Sequence, residues 1–301
     1  MQRPLLQLLL LSLLVVSAYG CGGGGGSGSD TETITEGVAV EEIPPEDLGF
    51  AGKDLVPPSF VVVTPGTGAD KGDWVTWPES LAKNVLDANN IYANSEQALS
   101  WPVNGVGIYA SRADCSGYVT RSLMKAFEFT ADDMTAWMGS KGPSSARYHD
   151  NILFQNNFQR IQRAVDVRRG DILASKYLDR DQDQDPNKAN GTGHTMIAAG
   201  APVLRSVPTK PVIEGTVQYE LRIIDSTSSP HSTGDTRKGT GANGADQDGA
   251  GLGTMRLYAD ASSGQITGYT WSLSSGSVYY TATSPADDRR SLMVGRMTFT
   301  Q

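Results

Sequence analysis

The segment SRADCSGYVTRSL, residues 111–123, contains Cys115, one of two cysteines in a chain of 301 residues. From Tyr118 or Val119 onward, apolar residues recur at three- and four-residue steps without a proline, which is the period of an amphipathic helix. Asp114 is of the residue type that caps the first turn of a helix. The segment therefore predicts that Cys115 lies at or just before a helix N-terminus.

The character of the sequence changes near residue 170. Three other segments have helical periodicity, and seven later segments alternate apolar and polar residues between Gly, Pro, Asn and Asp, which is typical of strands. The helical segments are 77–93, 131–138 and 149–164, and the strands are 171–177, 194–200, 218–225, 254–260, 266–273, 277–283 and 292–299. Helices followed by antiparallel strands predict an α+β fold, with N-terminal helices packed on an antiparallel β-sheet.

The N-terminus predicts export. Residues 1–20 combine one positive charge with the apolar run LLQLLLLSLLVVSA, which is the pattern of a cleaved signal peptide. Cys21 follows directly and resembles the lipidated cysteine of bacterial lipoproteins, although an ordinary signal that happens to precede a cysteine is the alternative. Residues 21–57 are Gly-rich and then acidic, with too few large apolar side chains for a core. They predict a flexible, lipid-anchored tether.

Charge and loop composition exclude some functions. The formal net charge of −8 argues against binding to nucleic acid and against electrostatic adsorption to anionic lipid. The loop 178–193 carries four aspartates at alternate positions and resembles a calcium loop. However, Gln184 and Asn190 stand where an EF-hand needs Gly and Glu, so we interpret it as a solvated acidic loop. The Gly- and Asp-rich segment 232–253 predicts a mobile loop.

The thiol of Cys115 becomes a nucleophile if a helix N-terminus or an imidazolium lowers its pKa. The chain has three histidines, and nothing indicates a catalytic role for His149. His194 opens the strand HTMIAAG, and Asp225 closes the strand QYELRIID. If these strands pair antiparallel, the carboxylate lies beside the imidazole and orients it. The alternative for His194 is a surface loop histidine.

Four motifs, in order, resemble the NlpC-type family of papain-like cell-wall cysteine peptidases. DCSGYV (114–119) is similar to the family's nucleophile motif at a helix start, and VRRGDIL (167–173) to the strand before the family histidine. GHTMIAAG (193–200) is similar to the histidine strand, and RIID (222–225) stands where the family has the strand of its third polar residue. The resemblance covers roughly residues 76–230 and implies a papain-like (NlpC-type) fold.

The resemblance also implies roles for individual residues. Cys115 would be the nucleophile, His194 the general base and Asp225 the group that orients the base, with no metal or organic cofactor. The third family position is more often His, Asn or Gln than Asp. His231 is therefore the alternative to Asp225.

The family places a tyrosine upstream of the nucleophile. This chain has Trp101 in roughly that position, and Tyr109 lies closer to the cysteine. We expect both aromatic side chains, together with Asp114 and Ser116, to contact the substrate.

These expectations combine into one hypothesis. The chain would be an exported lipoprotein on the periplasmic side of a bacterial outer membrane, with a cysteine hydrolase domain over residues 58–301 that carries loop insertions. It would cleave peptide or amide bonds in peptidoglycan stem peptides. Two alternatives stay open: a papain-like amidase or acyltransferase that acts on another substrate, and a non-catalytic lipoprotein that binds the cell wall.

Overall fold

The computed structural model describes residues 73–177, 193–282 and 290–298. The predicted signal peptide (1–20), Cys21, the tether (21–57), the start of the hydrolase domain at residue 58 and the acidic positions 179–185 lie outside the described residues. Within the described ranges, no helix is long and apolar enough to cross a membrane.

The described residues form four α-helices and twelve strands. The helices are α1 (Thr76–Asn84), α2 (Cys115–Phe127), α3 (Ala131–Met138) and α4 (Ser145–Leu153). The strands are β1 (Asn90–Ile91), β2 (Ala98–Ser100), β3 (Ala110–Arg112), β4 (Phe158–Arg160), β5 (Ile172–Tyr177), β6 (Gly193–Ala198), β7 (Val203–Leu204), β8 (Thr216–Thr227), β9 (Gly249–Asp260), β10 (Ile266–Thr270), β11 (Tyr279–Thr281) and β12 (Arg290–Met297). Helices precede most of the strands, so the predicted α+β class is confirmed.

Nine strands form one antiparallel sheet, in the order β11-β10-β9-β8-β6-β5-β12-β4, with β7 paired on β8. The sheet curls until β11 approaches β12. The backbone N–H of Leu292 in β12 donates to the carbonyl of Ala282, just after β11, at 3.1 Å. The hydroxyl of Tyr269 in β10 donates to the carbonyl of Arg290 at 2.9 Å. These two contacts partly close the sheet.

A second, three-stranded sheet lies beside α2. Its order is β1-β3-β2, and β1 runs parallel to β3. The amide of Asn90 in β1 donates to the carbonyl of Ala250 in β9 at 2.9 Å, and its carbonyl oxygen accepts from the Ala250 N–H at 2.7 Å. This pair of hydrogen bonds ties the small sheet, and with it the approach to α2, to the large sheet.

The large sheet buries both faces. Because successive side chains of a strand point to opposite faces, Ile172 and Ala174 of β5 contribute to one apolar cluster and Leu173 to another. The first cluster lies under the helices and includes Tyr118, Val119 and Leu123 of α2. The second fills the inside of the curled sheet. All six residues of β5 and all six of β6 are buried.

Two sequence predictions of helix length are wrong. The helix predicted over 149–164 is α4, which ends at Leu153, and β4 follows. Gln155 and Asn157 both have a φ of 55°, the left-handed region that stops a helix. Asn156 between them is buried, and its side-chain amide donates to the Trp137 carbonyl at 2.9 Å. The helix predicted over 77–93 likewise ends early, at the end of α1.

The segment 232–253 is also corrected by the structure. It was expected to be a mobile loop, yet Asp235 and Arg237 within it are buried. The strand expected at 254–260 begins earlier, because β9 runs from Gly249 and pairs with β8 along its whole length. The other strands predicted from residue 171 onward are confirmed as strands, with ends shifted by a few residues.

The core packing of α2 leads to a test of stability. Leu123 is fully buried under the sheet, so Leu123→Ala should lower the free energy of unfolding by about 2–5 kcal/mol. Leu86 is 69 % exposed, and Leu86→Ala should change it by less than about 0.5 kcal/mol. Urea unfolding of both variants measures the difference. Equal losses in the two variants would contradict the packing described here.

Candidate active site

Cys115 is the first residue of α2, and the side chain of Asp114 fixes this helix start. Asp114 is the N-cap and accepts a hydrogen bond from the backbone N–H of Gly117 at 2.6 Å. The hydroxyl of Ser116 donates to the same carboxylate oxygen of Asp114 at 3.2 Å. Cys115 itself is 4 % exposed. The predicted position of Cys115 at a helix start, and the cap by Asp114, are confirmed.

A second helix N-terminus meets the thiol. Ser145 is the first residue of α4, and its Oγ lies 3.4 Å from Cys115 Sγ. Thr195 of β6 donates to Ser145 Oγ at 2.8 Å, which leaves the Ser145 hydrogen available for the sulfur. Sγ therefore lies beside the first residues of two helices, α2 and α4, and the N-terminal end of a helix is the end that stabilises a negative charge. No pattern in the sequence indicates this role for Ser145.

Gly193, the first residue of β6, brings this strand close to the thiol. Cys115 Sγ lies 4.0 Å from the carbonyl oxygen of Gly193, the residue directly before His194. Gly193 has a φ of 152°, and a Cβ built there would lie 1.8 Å from the carbonyl oxygen of Ser175 in β5. Only glycine fits this position. Its small size lets β5, β6 and the start of α2 approach each other.

The predicted pairing of His194 with Asp225 is present. Strands β6 and β8 are antiparallel, and His194 Nε2 lies 2.6 Å from Asp225 Oδ2. Asp225 has no exposed surface and His194 has 3 %. Directly after Asp225, the hydroxyl of Ser226 donates to the carbonyl of Ala113 at 2.7 Å. The strand of the carboxylate is therefore tied to the residue that precedes the cap of α2.

His231, the predicted alternative to Asp225, binds the same carboxylate oxygen. His231 Nε2 lies 2.7 Å from Asp225 Oδ2, and the other ring nitrogen, Nδ1, lies 2.7 Å from the carbonyl oxygen of Trp271. The rings of His194 and Trp271 are also perpendicular neighbours, with centroids 5.3 Å apart and planes at 89°. Asp225 and His231, the alternatives for the third catalytic position, are thus neighbours.

Arg237 and Asp235 complete the surroundings of the Asp225 carboxylate. No pattern in the sequence predicts a role for either residue. Arg237 Nη2 donates to Asp225 Oδ1 at 3.0 Å and to Asp235 Oδ2 at 2.7 Å, and Arg237 is 1 % exposed. A Cβ on Gly251 would lie 2.5 Å from Arg237 Nε, and one on Gly253 would lie 2.8 Å from His231 Cδ2. The small residues of GAGLG in β9 make room for both cations.

Opposing effects set the pKa values of this cluster. Burial alone would raise the pKa of Asp225, but the charges of His231 and Arg237 and the histidine hydrogen bonds outweigh burial and hold this pKa well below its ordinary value. Burial alone would lower the pKa of His231, but the charge of Asp225 and the hydrogen bonds of the ring raise it. The folded chain therefore favours an ionised Asp225 beside a protonated His231.

Metal coordination is a second way to interpret these three side chains, since His194, Asp225 and His231 hold ligand atoms within 4.8 Å of one another. A tetrahedral zinc ion bound at about 2.0–2.1 Å keeps neighbouring ligand atoms roughly 3.3 Å apart. The two nitrogen–oxygen distances are 2.6 and 2.7 Å instead. Such separations are those of hydrogen bonds, and the carboxylate already accepts from Arg237. We interpret the cluster as hydrogen-bonded.

The four side chains that are expected to contact a substrate also have contacts within the protein. Trp101 is half-buried, its indole N–H donates to the Trp77 carbonyl at 2.8 Å, and its ring packs edge-on against Trp77. Tyr109 is partly buried against the same apolar cluster. Asp114 and Ser116 serve the helix cap. Each of these four has a structural contact, and contact with a substrate stays a prediction.

His149 lies in a separate buried cluster. Its Nδ1 is 2.9 Å from Asp150 Oδ1 and its Nε2 is 2.9 Å from Ser291 Oγ, which links α4 to β12. Lys176 of β5 donates to Asp150 at 2.9 Å. Burial lowers the pKa of His149 despite the neighbouring carboxylate. These contacts link α4 to β5 and β12 through His149 and its neighbour Asp150.

The chain is similar to a viral protein over most of that protein's length. The chain is 32% identical over 210 residues to "Uncharacterized protein R653" of Acanthamoeba polyphaga mimivirus, an alignment that covers 67% of this chain and 88% of the relative. No protein-family model matches the chain. No solved structure matches it.

The hydrogen bond from Ser145 should favour ionisation of the thiol. Because one hydrogen bond to a charged group contributes about 1.5–3 kcal/mol, Ser145→Ala should move the pH midpoint of thiolate formation upward by about 1–2 units. The ultraviolet absorbance of the thiolate measures this midpoint, as a difference from Cys115→Ser in a Cys21→Ser background. Ser122 is a buried serine of α2 whose hydroxyl has no hydrogen-bond partner among the described residues, so Ser122→Ala is the matched control. An unchanged midpoint in Ser145→Ala would refute the role.

The lowered pKa of Asp225 predicts how stability depends on pH. The carboxylate contributes fully above its unfolded pKa of about 3.9, and the contribution is lost as the pH falls through the lower folded pKa. We expect wild type to lose stability below about pH 4, and Asp225→Asn to lose less over that range while being about 3–5 kcal/mol less stable near neutral pH. Urea midpoints measured across pH give both quantities. Asp246 forms an exposed surface pair with Lys238, and such pairs contribute little to stability, so Asp246→Asn should change the profile much less than Asp225→Asn does.

Proposed function

Because this chain belongs to the same family as the mimivirus protein, whose name states no activity, we propose its function from the site: a papain-like thiol hydrolase with Cys115, His194 and Asp225 as its catalytic groups. One observation supports this proposal most strongly. Cys115 begins a helix and contacts the residue before His194, and His194 is hydrogen-bonded to the buried carboxylate of Asp225. A nucleophile, a base and a group that orients the base thus come from α2, β6 and β8. The helices on an antiparallel sheet and the four ordered motifs support an NlpC-type fold.

The tautomer of His194 follows from its partner. The ionised Asp225 only accepts hydrogen bonds, so Nε2 of a neutral His194 carries the ring hydrogen. Nδ1 then holds the lone pair. In the proposed mechanism this nitrogen takes the proton of Cys115, and the two helix N-termini and the Ser145 hydroxyl stabilise the sulfur anion.

The reaction then proceeds in two halves. The thiolate attacks the carbonyl carbon of an amide, and the negative charge passes to the carbonyl oxygen near the N-terminus of α2, where backbone N–H groups can stabilise it. His194 returns its proton to the leaving nitrogen, so an amine departs and a thioester remains on Cys115. Water then gives a proton to His194 and attacks the thioester, which releases a carboxylic acid and restores the thiol.

The proposed substrate is the stem peptide of peptidoglycan. This assignment depends on the motif resemblance and on the proposed export signal and lipidated Cys21, which would hold the enzyme in a bacterial cell envelope. The alternative is amidase or acyl-transfer chemistry on another substrate. The burial of Cys115 supports keeping this alternative, because a 4 % exposed thiol admits only a substrate that fits closely.

Incubation with muropeptides, followed by mass spectrometry, tests the proposal. Wild type should produce new fragments, and Cys115→Ala and His194→Ala should each lower the rate by at least about 100-fold, since base and nucleophile act as a unit. His149→Gln is the matched control, because His149 is buried outside the site, and it should retain activity if folded.

A second substrate separates the chemistry from the specificity. A small activated ester should acylate Cys115 in wild type. Acylation without muropeptide cleavage would favour the amidase or acyltransferase alternative, and activity that survives Cys115→Ala would reject the thiol mechanism. Folded protein that gives neither product would favour the non-catalytic, wall-binding reading.

A further inference from the structure

His231 is fixed by two acceptors. The carbonyl oxygen of Trp271, 2.7 Å from Nδ1, can only accept a hydrogen bond, so Nδ1 carries a hydrogen. The ionised Asp225, 2.7 Å from Nε2, also only accepts, so Nε2 carries one too. A ring with hydrogens on both nitrogens is an imidazolium. The geometry therefore assigns His231 a positive charge, and the raised pKa of His231 agrees with it.

The charges around the His231 ring sum to zero without a charge on His194. Asp225 and Asp235 supply two negative charges, and Arg237 and His231 supply two positive charges. Arg237 bridges the two carboxylates, and Asp235 also accepts from the backbone N–H of His231 at 2.9 Å. Tyr118 faces Asp225 from α2, and burial and that negative charge raise its pKa well above the ordinary value, so it stays neutral.

The balance has a consequence for the base. His194 donates to the same oxygen as His231, and the two rings lie 5.9 Å apart. If Asp225 faced His194 alone, its charge would favour a protonated ring that could accept no proton from the thiol. A second cation on the carboxylate opposes that effect.

We propose that His231 is a positioning residue that stays an imidazolium and, with Arg237, offsets the charge of Asp225, so that this carboxylate holds the His194 ring without keeping a second proton on it. This inference rests on the proposed thiol chemistry for its purpose, although the charge assignment can be measured without it. His231 acts through Asp225 and His194 and touches no reacting atom.

Several elements of the fold contribute to the surroundings of His231. His231 and Arg237 come from the segment after β8, Trp271 follows β10, and the room for both cations comes from Gly251 and Gly253 in β9. The site therefore offers both the space and the hydrogen-bond acceptors for a second histidine beside Asp225. A histidine that merely filled space would not need hydrogen-bond acceptors at both ring nitrogens.

Nitrogen-15 NMR of the imidazole rings in the full chain is the test. The chain has three histidines, so His149→Gln and His194→Gln assign two signals and leave the third to His231. We expect His231 to remain doubly protonated to well above its ordinary midpoint of about 6.5, and Nε2 of His194 to give the signal of a hydrogen-bonded N–H. In His231→Gln, the midpoint of His194 protonation should rise by about 1–3 pH units.

A kinetic experiment complements the NMR experiment: the rate at which the activated ester acylates Cys115 is measured as a function of pH. The acid limb, which reports protonation of the base, should move to higher pH in His231→Gln by the same amount as the NMR midpoint. A uniformly lower rate with an unmoved limb would mean that His231 only supports the structure. A neutral His231 near pH 7, or an unchanged His194 midpoint in folded His231→Gln, would overturn the proposal.

Failure of the two proposals can be told apart. If the NMR shifts are as expected and no substrate reacts, the charge arrangement stands and the hydrolase proposal fails. If substrates react through Cys115 and His231 titrates as an ordinary histidine, the hydrolase stands and the inference fails. Should His231→Gln not fold, the wild-type ring spectrum still decides, because it reports the charge on His231 directly.

Discussion

A carboxylate without exposed surface is the constraint around which the site is built. An isolated charge in the interior of a protein is very costly, so the fold must bring donors to Asp225 from elsewhere. It brings one from β6, His194, and two from the segment after β8, His231 and Arg237. The register of β8 with β9 places Gly251 opposite Asp225 and Gly253 opposite Ile223, and these glycines leave room for the donors.

The parts of the site predicted from sequence are those set by local periodicity. The helical period after Cys115 and the cap type of Asp114 placed the thiol at a helix start. Strand alternation was enough to pair His194 with Asp225, because the first residue of one antiparallel strand lies near the last of the next. The antiparallel sheet and the α+β class followed from the same patterns.

The remaining features depend on segments that are distant in sequence. Ser145 reaches Cys115 only because α4 packs beside α2, where the hydroxyls of Thr120 and Tyr148 lie 2.9 Å apart. Arg237 stands in a run of Gly, Asp and Thr with the composition of an exposed loop, and its burial depends on two carboxylates that periodicity does not locate. The over-long helix at 149–164 failed for a local reason, since Gln155 and Asn157 adopt left-handed conformations that apolar periodicity does not reveal.

The curling of the large sheet has a consequence for solubility. An open sheet offers unpaired backbone groups at its edges, and long edges template association between chains. Here the long strands, β8 and β9 with twelve residues each, lie inside the path, whereas its ends, β11 and β4, have three residues each. The closing contact between Leu292 and Ala282 covers part of the β11 end. The same curvature that fills the interior with side chains therefore limits the surface on which a second chain could add a strand.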